Sequence, residues 1–173
     1  MLGSERIFVI VGALAAVLLQ LFVAPYLSIA GAVPNFLLAF AMAVAIARGS
    51  ASGCLLPFLL GLVYDFVGGG PVGGMALVLM VVSVAAARGF QLVDNDSLFM
   101  ALVPLAIGVL VVEVAYGLLL LALGYQASPV DMLVYRALPC FLYDFILGCI
   151  LYFVAKRWTR PAGVARVELT QLR

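Results

Sequence analysis

The chain has 173 residues, 67% of them hydrophobic and 10% charged, and a mean hydropathy of +1.29. Soluble domains carry about 25% charged residues, so this composition excludes a domain that lives in water and indicates a membrane protein. The net charge of +1 says nothing about partners, and with no His no histidine chemistry is expected; no nucleic-acid partner is expected for a membrane bundle. A transmembrane β-barrel would alternate apolar and polar residues over roughly ten-residue segments. Here the apolar runs are continuous, which predicts an all-α polytopic bundle.

The first apolar run follows Arg6 and precedes Ala30-Gly31-Ala32, an arrangement that imitates a secretory signal with its cleavage site. The run is long for a signal, and more apolar sequence follows it, so a retained first span is expected. Six spans are read in all, at 7–26, 34–47, 54–67, 72–87, 98–123 and 132–155. A membrane helix needs about 20 apolar residues. Spans two to four fall short of that, so they must be extended by their flanks, met by a thinned bilayer, or shielded inside the bundle. Short connections predict antiparallel neighbours.

Local signals mark the boundaries. Pro34 suits the first turn of the second helix, where a missing N–H costs nothing. Asp96 or Ser97 is expected to cap the fifth helix. Ser128-Pro129-Val130-Asp131 reads as a cap, a first-turn proline and an acid. Pro139 should then kink the sixth helix, and Pro57 and Pro104 should act likewise in helices three and five. Pro161 should end the last helix.

With six spans, Arg6, Arg48, Arg88, Lys156, Arg157, Arg160, Arg166 and Arg173 fall on one side, and Arg136 alone falls on the other. That bias predicts both termini in the cytoplasm. The organisation expected is one transmembrane domain over 1–158 and a basic tail over 159–173 that lies against anionic lipid.

Three acids lie within or at the ends of the spans: Asp65, Glu113 and Asp144. A charge inside a membrane is costly and needs a partner. Arg136, Cys140 and Asp144 are spaced by four and share one helical face. A structural network of Glu113 and Asp144 with Arg136, Tyr116 or Tyr143 is the expectation; a proton or ion relay is the alternative. Asp65 precedes Gly68-Gly69-Gly70-Pro71, at the end of the third helix away from the cytoplasm. It is expected to bind amides at the start of the fourth helix, where the dipole favours an anion. The sharper alternative makes this turn a docking point for a partner. Cys54, Cys140 and Cys149 read as small buried hydrophobes. No Ser–His–Asp set, Cys-x-x-Cys pair or phosphate loop is present, so no enzyme, cofactor or metal is expected.

One ordered set of motifs goes further. It begins with Pro34-Asn35, runs through apolar residues to Ala47-Arg48-Gly49, and ends in Gly61-Leu62-Val63-Tyr64-Asp65-Phe66-Val67-Gly68-Gly69-Gly70-Pro71-Val72-Gly73. The combination resembles the rod shape-determining MreD family. That family opens its second helix with Pro-Asp or Pro-Asn, places Arg-Gly at the hairpin, and continues with Gly-Leu-x-x-Asp-x-x-x-Gly-x-Pro-x-Gly. Asn35 stands where an acid is frequent. The resemblance makes Pro34, Asn35, Arg48, Gly61, Asp65, Gly69, Gly70, Pro71 and Gly73 the candidate motif for partner binding or structure. Glu113, Arg136 and Asp144 form a separate candidate network within the membrane.

The resemblance implies a non-enzymatic scaffold of the bacterial elongation machinery in the inner membrane. It implies MreC as direct partner, with RodA, a class B penicillin-binding transpeptidase and MreB in a larger complex. It also implies a fold similar to the substrate-binding subunits of energy-coupling-factor transporters. The alternative function is the substrate-binding subunit of a small-solute transporter. Its few candidate pocket residues are Glu113, Asp144, Tyr116, Tyr143 and Gln20, and Gly12/Ala16 would supply the small-residue spacing against a membrane partner. An open pocket lined by those residues and capped by the 67–74 turn would favour transport; a filled centre would favour the scaffold.

Overall fold

The computed structural model describes residues 2–28, 32–49, 53–91, 98–125 and 128–158. Six helices follow in chain order: α1 (Leu2–Phe22), α2 (Phe36–Arg48), α3 (Leu55–Gly68), α4 (Gly74–Gln91), α5 (Leu98–Ala122) and α6 (Leu138–Trp158). A short 3-10 turn, Ala24–Leu27, follows α1, and a π-helical segment, Asp131–Ala137, leads into α6.

The bundle is arranged around its shortest helix. Every residue of α2 from Phe36 to Ile46 is buried. The other five helices enclose it in sequence, with α3 against α4, α4 against α5, α5 against α6, and α1 closing the ring between α6 and α3. At 1.5 Å rise per residue, a 13-residue helix is about 20 Å long, well below the ~30 Å of a hydrocarbon core. Because α2 touches protein on every side, it needs no match to lipid. Shielding is thus how this structure accommodates its shortest span. Around it, α1, α5 and α6 are long and apolar enough to cross a membrane, over Glu5–Phe22, Met100–Ala122 and Leu138–Trp158. Their outer faces carry large exposed apolar side chains, among them Ile7, Val11, Ile107, Leu118, Leu142 and Ile146. Such a surface is stable in lipid and not in water.

Small residues set the closest approaches. Gly61 in α3 faces α4 so tightly that a Cβ there would lie 2.5 Å from Ala76 Cα and 2.8 Å from its amide nitrogen. Gly108 in α5 leaves room for the end of Met42, whose sulfur accepts a hydrogen bond from Ser83 Oγ at 3.2 Å. Phe8 stacks on Trp158 with ring centroids 6.0 Å apart, joining the start of α1 to the end of α6.

Several boundary expectations need correction. Asn35 is the N-cap of α2 and its side chain accepts from the Leu38 amide, so Pro34 lies one residue outside the helix. Pro57 falls in the first turn of α3, where a missing donor breaks no bond. Pro104 does lie inside α5. Just before Pro139 the last span is wound more widely, over Asp131–Ala137. The caps expected at Asp96 and Ser97, the stop at Pro161 and the tail over 159–173 lie outside the described residues.

Candidate functional site

Alternation of the helices brings the end of α1, the starts of α2 and α4, the end of α3 and the start of α6 to one end of the bundle. Most of the buried polar side chains gather there, while Arg6, Arg48, Arg88, Lys156 and Arg157 sit at or near the opposite helix ends.

The first cluster holds the buried start of α2. A helix leaves its first amides without partners, and here no solvent reaches them. Asn35 N–H donates to Asp144 Oδ1 at 2.6 Å, Phe36 N–H donates to Gln20 Oε1 at 2.8 Å, and Leu38 N–H donates to Asn35 Oδ1 at 3.0 Å. Gln20 Nε2 in turn donates to the Pro34 carbonyl at 3.3 Å. Side chains from α1 and α6 thus supply what the short α2 lacks. The Glu113 carboxyl from α5 lies beside that of Asp144. Among the described residues, Asn35 Nδ2 is buried without a hydrogen-bond partner. Cys140 is buried one turn from Asp144, its sulfur 4.0 Å from the Val33 carbonyl.

The second cluster is the α3–α4 turn. Asp65 is 1% exposed. Its Oδ2 accepts from Gly73 N–H at 2.9 Å and from Ala76 N–H at 3.2 Å, while Oδ1 accepts from Met75 N–H at 3.0 Å. The carboxylate therefore fills the amide end of α4 from the preceding helix, where the helix dipole also favours it. The chain must reverse within a few residues to allow this. Gly69 and Gly73 do so at φ of 65° and 93°, a region glycine enters without strain. The Pro71 carbonyl accepts from Gly74 N–H at 3.0 Å. Phe66, in the last turn of α3, and Val72, in the connection to α4, are both about two-thirds exposed.

Between the clusters lies a small polar cleft of about 160 Å³, lined by Tyr64, Gly68, Gly69, Gly70, Tyr116, Leu120, Tyr125 and Arg136. Tyr64 meets Tyr116 edge-on at 5.9 Å, and the Arg136 guanidinium sits 5.5 Å over the Tyr116 ring.

The family model for the rod shape-determining protein MreD matches residues 5–160. The chain belongs to the MreD family. No curated protein and no solved structure gives a match. Membership in the MreD family makes this a membrane protein of rod-shape determination, and the apolar outer faces of α1, α5 and α6 fit that setting.

Of the motif residues, Pro34 and Asn35 belong to the α2 cluster, and Asp65, Gly69, Gly70, Pro71 and Gly73 belong to the turn. Gly61 is the contact that brings α3 against α4. Arg48 lies apart from them, in the last turn of α2, followed by Gly49 at φ 57°. Glu113 and Asp144 meet, while Arg136 turns to Tyr116. The sequence offers Gln20 only as a pocket candidate, and its part in holding α2 emerges from the packing. The signal available was a lone amide in an otherwise apolar helix, which in a membrane demands a partner. Among the described residues no group of three or more His, Cys, Asp or Glu is placed to hold a metal.

Proposed function

We propose that this protein is a non-enzymatic scaffold of the cell-elongation complex in the inner membrane, with both termini cytoplasmic, and that it holds MreC through the end of the bundle built by the α3–α4 turn. The observation that carries this reading is the turn itself. A buried carboxylate fixes three amides of one short reversal, and the rigid platform so formed presents Phe66 and Val72 outward. A fixed turn bearing exposed apolar side chains suits contact with a membrane-proximal segment of a partner such as MreC. RodA, the class B penicillin-binding transpeptidase and MreB then join through MreC or through the lipid-facing helices, and peptidoglycan synthesis is positioned without catalysis by this chain. The distribution of Lys and Arg supports the orientation, since among the described residues Arg136 alone of them lies at the turn end. A six-helix bundle closed around a short central helix suits the likeness to transporter substrate-binding subunits only at the level of architecture.

The transporter reading draws less support. Gln20 and Asp144, two of its few pocket candidates, are committed to the amides of α2. The bundle centre is filled by Leu37, Leu38, Met42, Ile46, Leu79 and Leu105. The polar cleft near the turn, at about 160 Å³, is below the ~300 Å³ at which pockets for drug-sized ligands begin, so it does not enclose a vitamin-sized solute. Co-purification in mild detergent from the native host tests the choice. Recovery of MreC with the wall synthases supports the scaffold; recovery of an ATPase pair with a coupling subunit overturns it.

A further inference from the structure

We propose that the cleft formed by Tyr64, Gly68–Gly70, Tyr116, Tyr125 and Arg136 binds a phosphate ester, the guanidinium of Arg136 taking the phosphate and the tyrosine hydroxyls and turn backbone taking the hydroxyl groups of the alcohol. This goes beyond the scaffold role and does not rest on it.

Two other clefts in the bundle are lined by apolar side chains: one by Phe8, Leu19, Phe40 and their neighbours, the other by Val81, Val82, Pro104, Ile107 and theirs. Such grooves suit acyl chains and specify nothing. The cleft at the turn is different, since its lining is mainly polar and its groups are of complementary kinds. Arg136 is the sole basic residue between Arg88 and Lys156, and its fork of donors matches the oxygens of phosphate in pairs. The guanidinium carbon lies 5.5 Å from the Tyr116 ring centroid, a cation–π contact that holds the charge beside the cleft. Three phenols supply donors and acceptors around it. Gly68 is the last residue of α3 and Gly69 its left-handed cap, so the carbonyls at that helix end lack helical partners and can accept from hydroxyls. Neither Glu113 nor Asp144 lines the cleft; both are buried, with Glu113 within electrostatic reach of Arg136. The volume suits a headgroup of phosphate and a three-carbon alcohol. Tyr125, at 59% exposed, stands at the rim and Leu120 is buried, and the cleft lies at the end of the bundle that carries the α3–α4 turn. A lipid headgroup with its tails along α5 and a free sugar or glycerol phosphate share this chemistry.

The test is native mass spectrometry of the full chain in detergent, with dioleoylphosphatidylglycerol, dioleoylglycerol and glycerol 3-phosphate as probes. The wild type should retain the phosphatidyl lipid at least tenfold more than the diacylglycerol. Arg136→Gln should lower that retention about tenfold, the factor expected for one charge-assisted pair, while Arg136→Lys loses less. Tyr125→Phe removes one rim hydroxyl without disturbing packing, so it decides the matter if Arg136→Gln fails to fold, with a loss of about threefold expected. Glycerol 3-phosphate bound as well as the lipid would identify a soluble ester as the ligand; retention of the lipid alone would identify a headgroup. Equal retention of both dioleoyl lipids, or no change in Arg136→Gln or Tyr125→Phe protein of normal melting behaviour, would overturn the proposal.

Discussion

Replacing Asp65 with Ala removes the acceptor for three amides in one step. The donors of Gly73, Met75 and Ala76 lie 2.9, 3.0 and 3.2 Å from its oxygens, and the residue is 1% exposed. Each buried donor left without a partner costs about 1–3 kcal/mol. Gly73 is half-buried and can turn toward solvent, so the loss should be about 3–6 kcal/mol, a large share of the 5–15 kcal/mol typical of a folded domain. Asp65→Asn is the sharper probe. Its one carbonyl oxygen can replace Oδ2 and serve Gly73 and Ala76, leaving the amide group facing Met75 N–H. That costs about 1–3 kcal/mol. At about 2–4 °C per kcal/mol for a chain of this size, the melting temperature should fall by roughly 10 °C or more for Ala and by about 5 °C for Asn. The cysteines provide the assay. Cys54 is exposed, Cys140 buried and Cys149 half-buried. In a Cys54→Ser background, a thiol-reactive dye reads unfolding as the two remaining thiols emerge. An Asp65→Ala protein that melts within 2 °C of its background would refute this account of the turn, and so would an Asn variant less stable than the Ala variant.

Gly61→Ala should destabilise strongly, because its Cβ would meet the Ala76 backbone rather than a side chain able to move; about 1–3 kcal/mol from overpacking should appear in the same thiol assay. Gly68→Ala is its control, since the nearest atom to that Cβ is 3.7 Å away, and it should melt within 2 °C of the background. Gln20→Leu should cost about 1–3 kcal/mol by leaving Phe36 N–H unpaired, whereas Gln20→Glu, which keeps an acceptor, should cost less; equal melting of the Leu variant and the parent would remove Gln20 from the α2 cluster. A membrane-impermeant maleimide on intact spheroplasts should label Val72→Cys and spare Cys54, both exposed but placed at opposite ends of the bundle; the reverse pattern would invert the topology.

The helices were legible because each apolar run has a length and an end signal, and the Asp65 turn was legible because a carboxylate before Gly-Gly-Gly-Pro lies eight to eleven residues from the amides it holds. What joins distant segments was not. The bond from Asn35 N–H to Asp144 spans 109 residues and that from Phe36 N–H to Gln20 spans 16, and no local pattern encodes either. The sequence offers Arg136, Tyr116 and Tyr143 alike as companions of Glu113 and Asp144, and only the packing shows the guanidinium 5.5 Å over the Tyr116 ring and within electrostatic reach of Glu113. That α2 forms the centre was equally hidden, since its length offers shielding, thinning and extension alike, and only packing selects among them.

The central claim is that MreC sits on the α3–α4 turn, and the most direct measurement is site-specific photocrosslinking in living cells. A photoreactive amino acid placed at Phe66 or at Val72, both exposed on the turn, should give an adduct of this chain with MreC. The same group at Ile7, exposed on α1 near the opposite end, should give none or far less. MreC captured from α1 and not from the turn, or a transporter coupling subunit captured from either, would contradict the account.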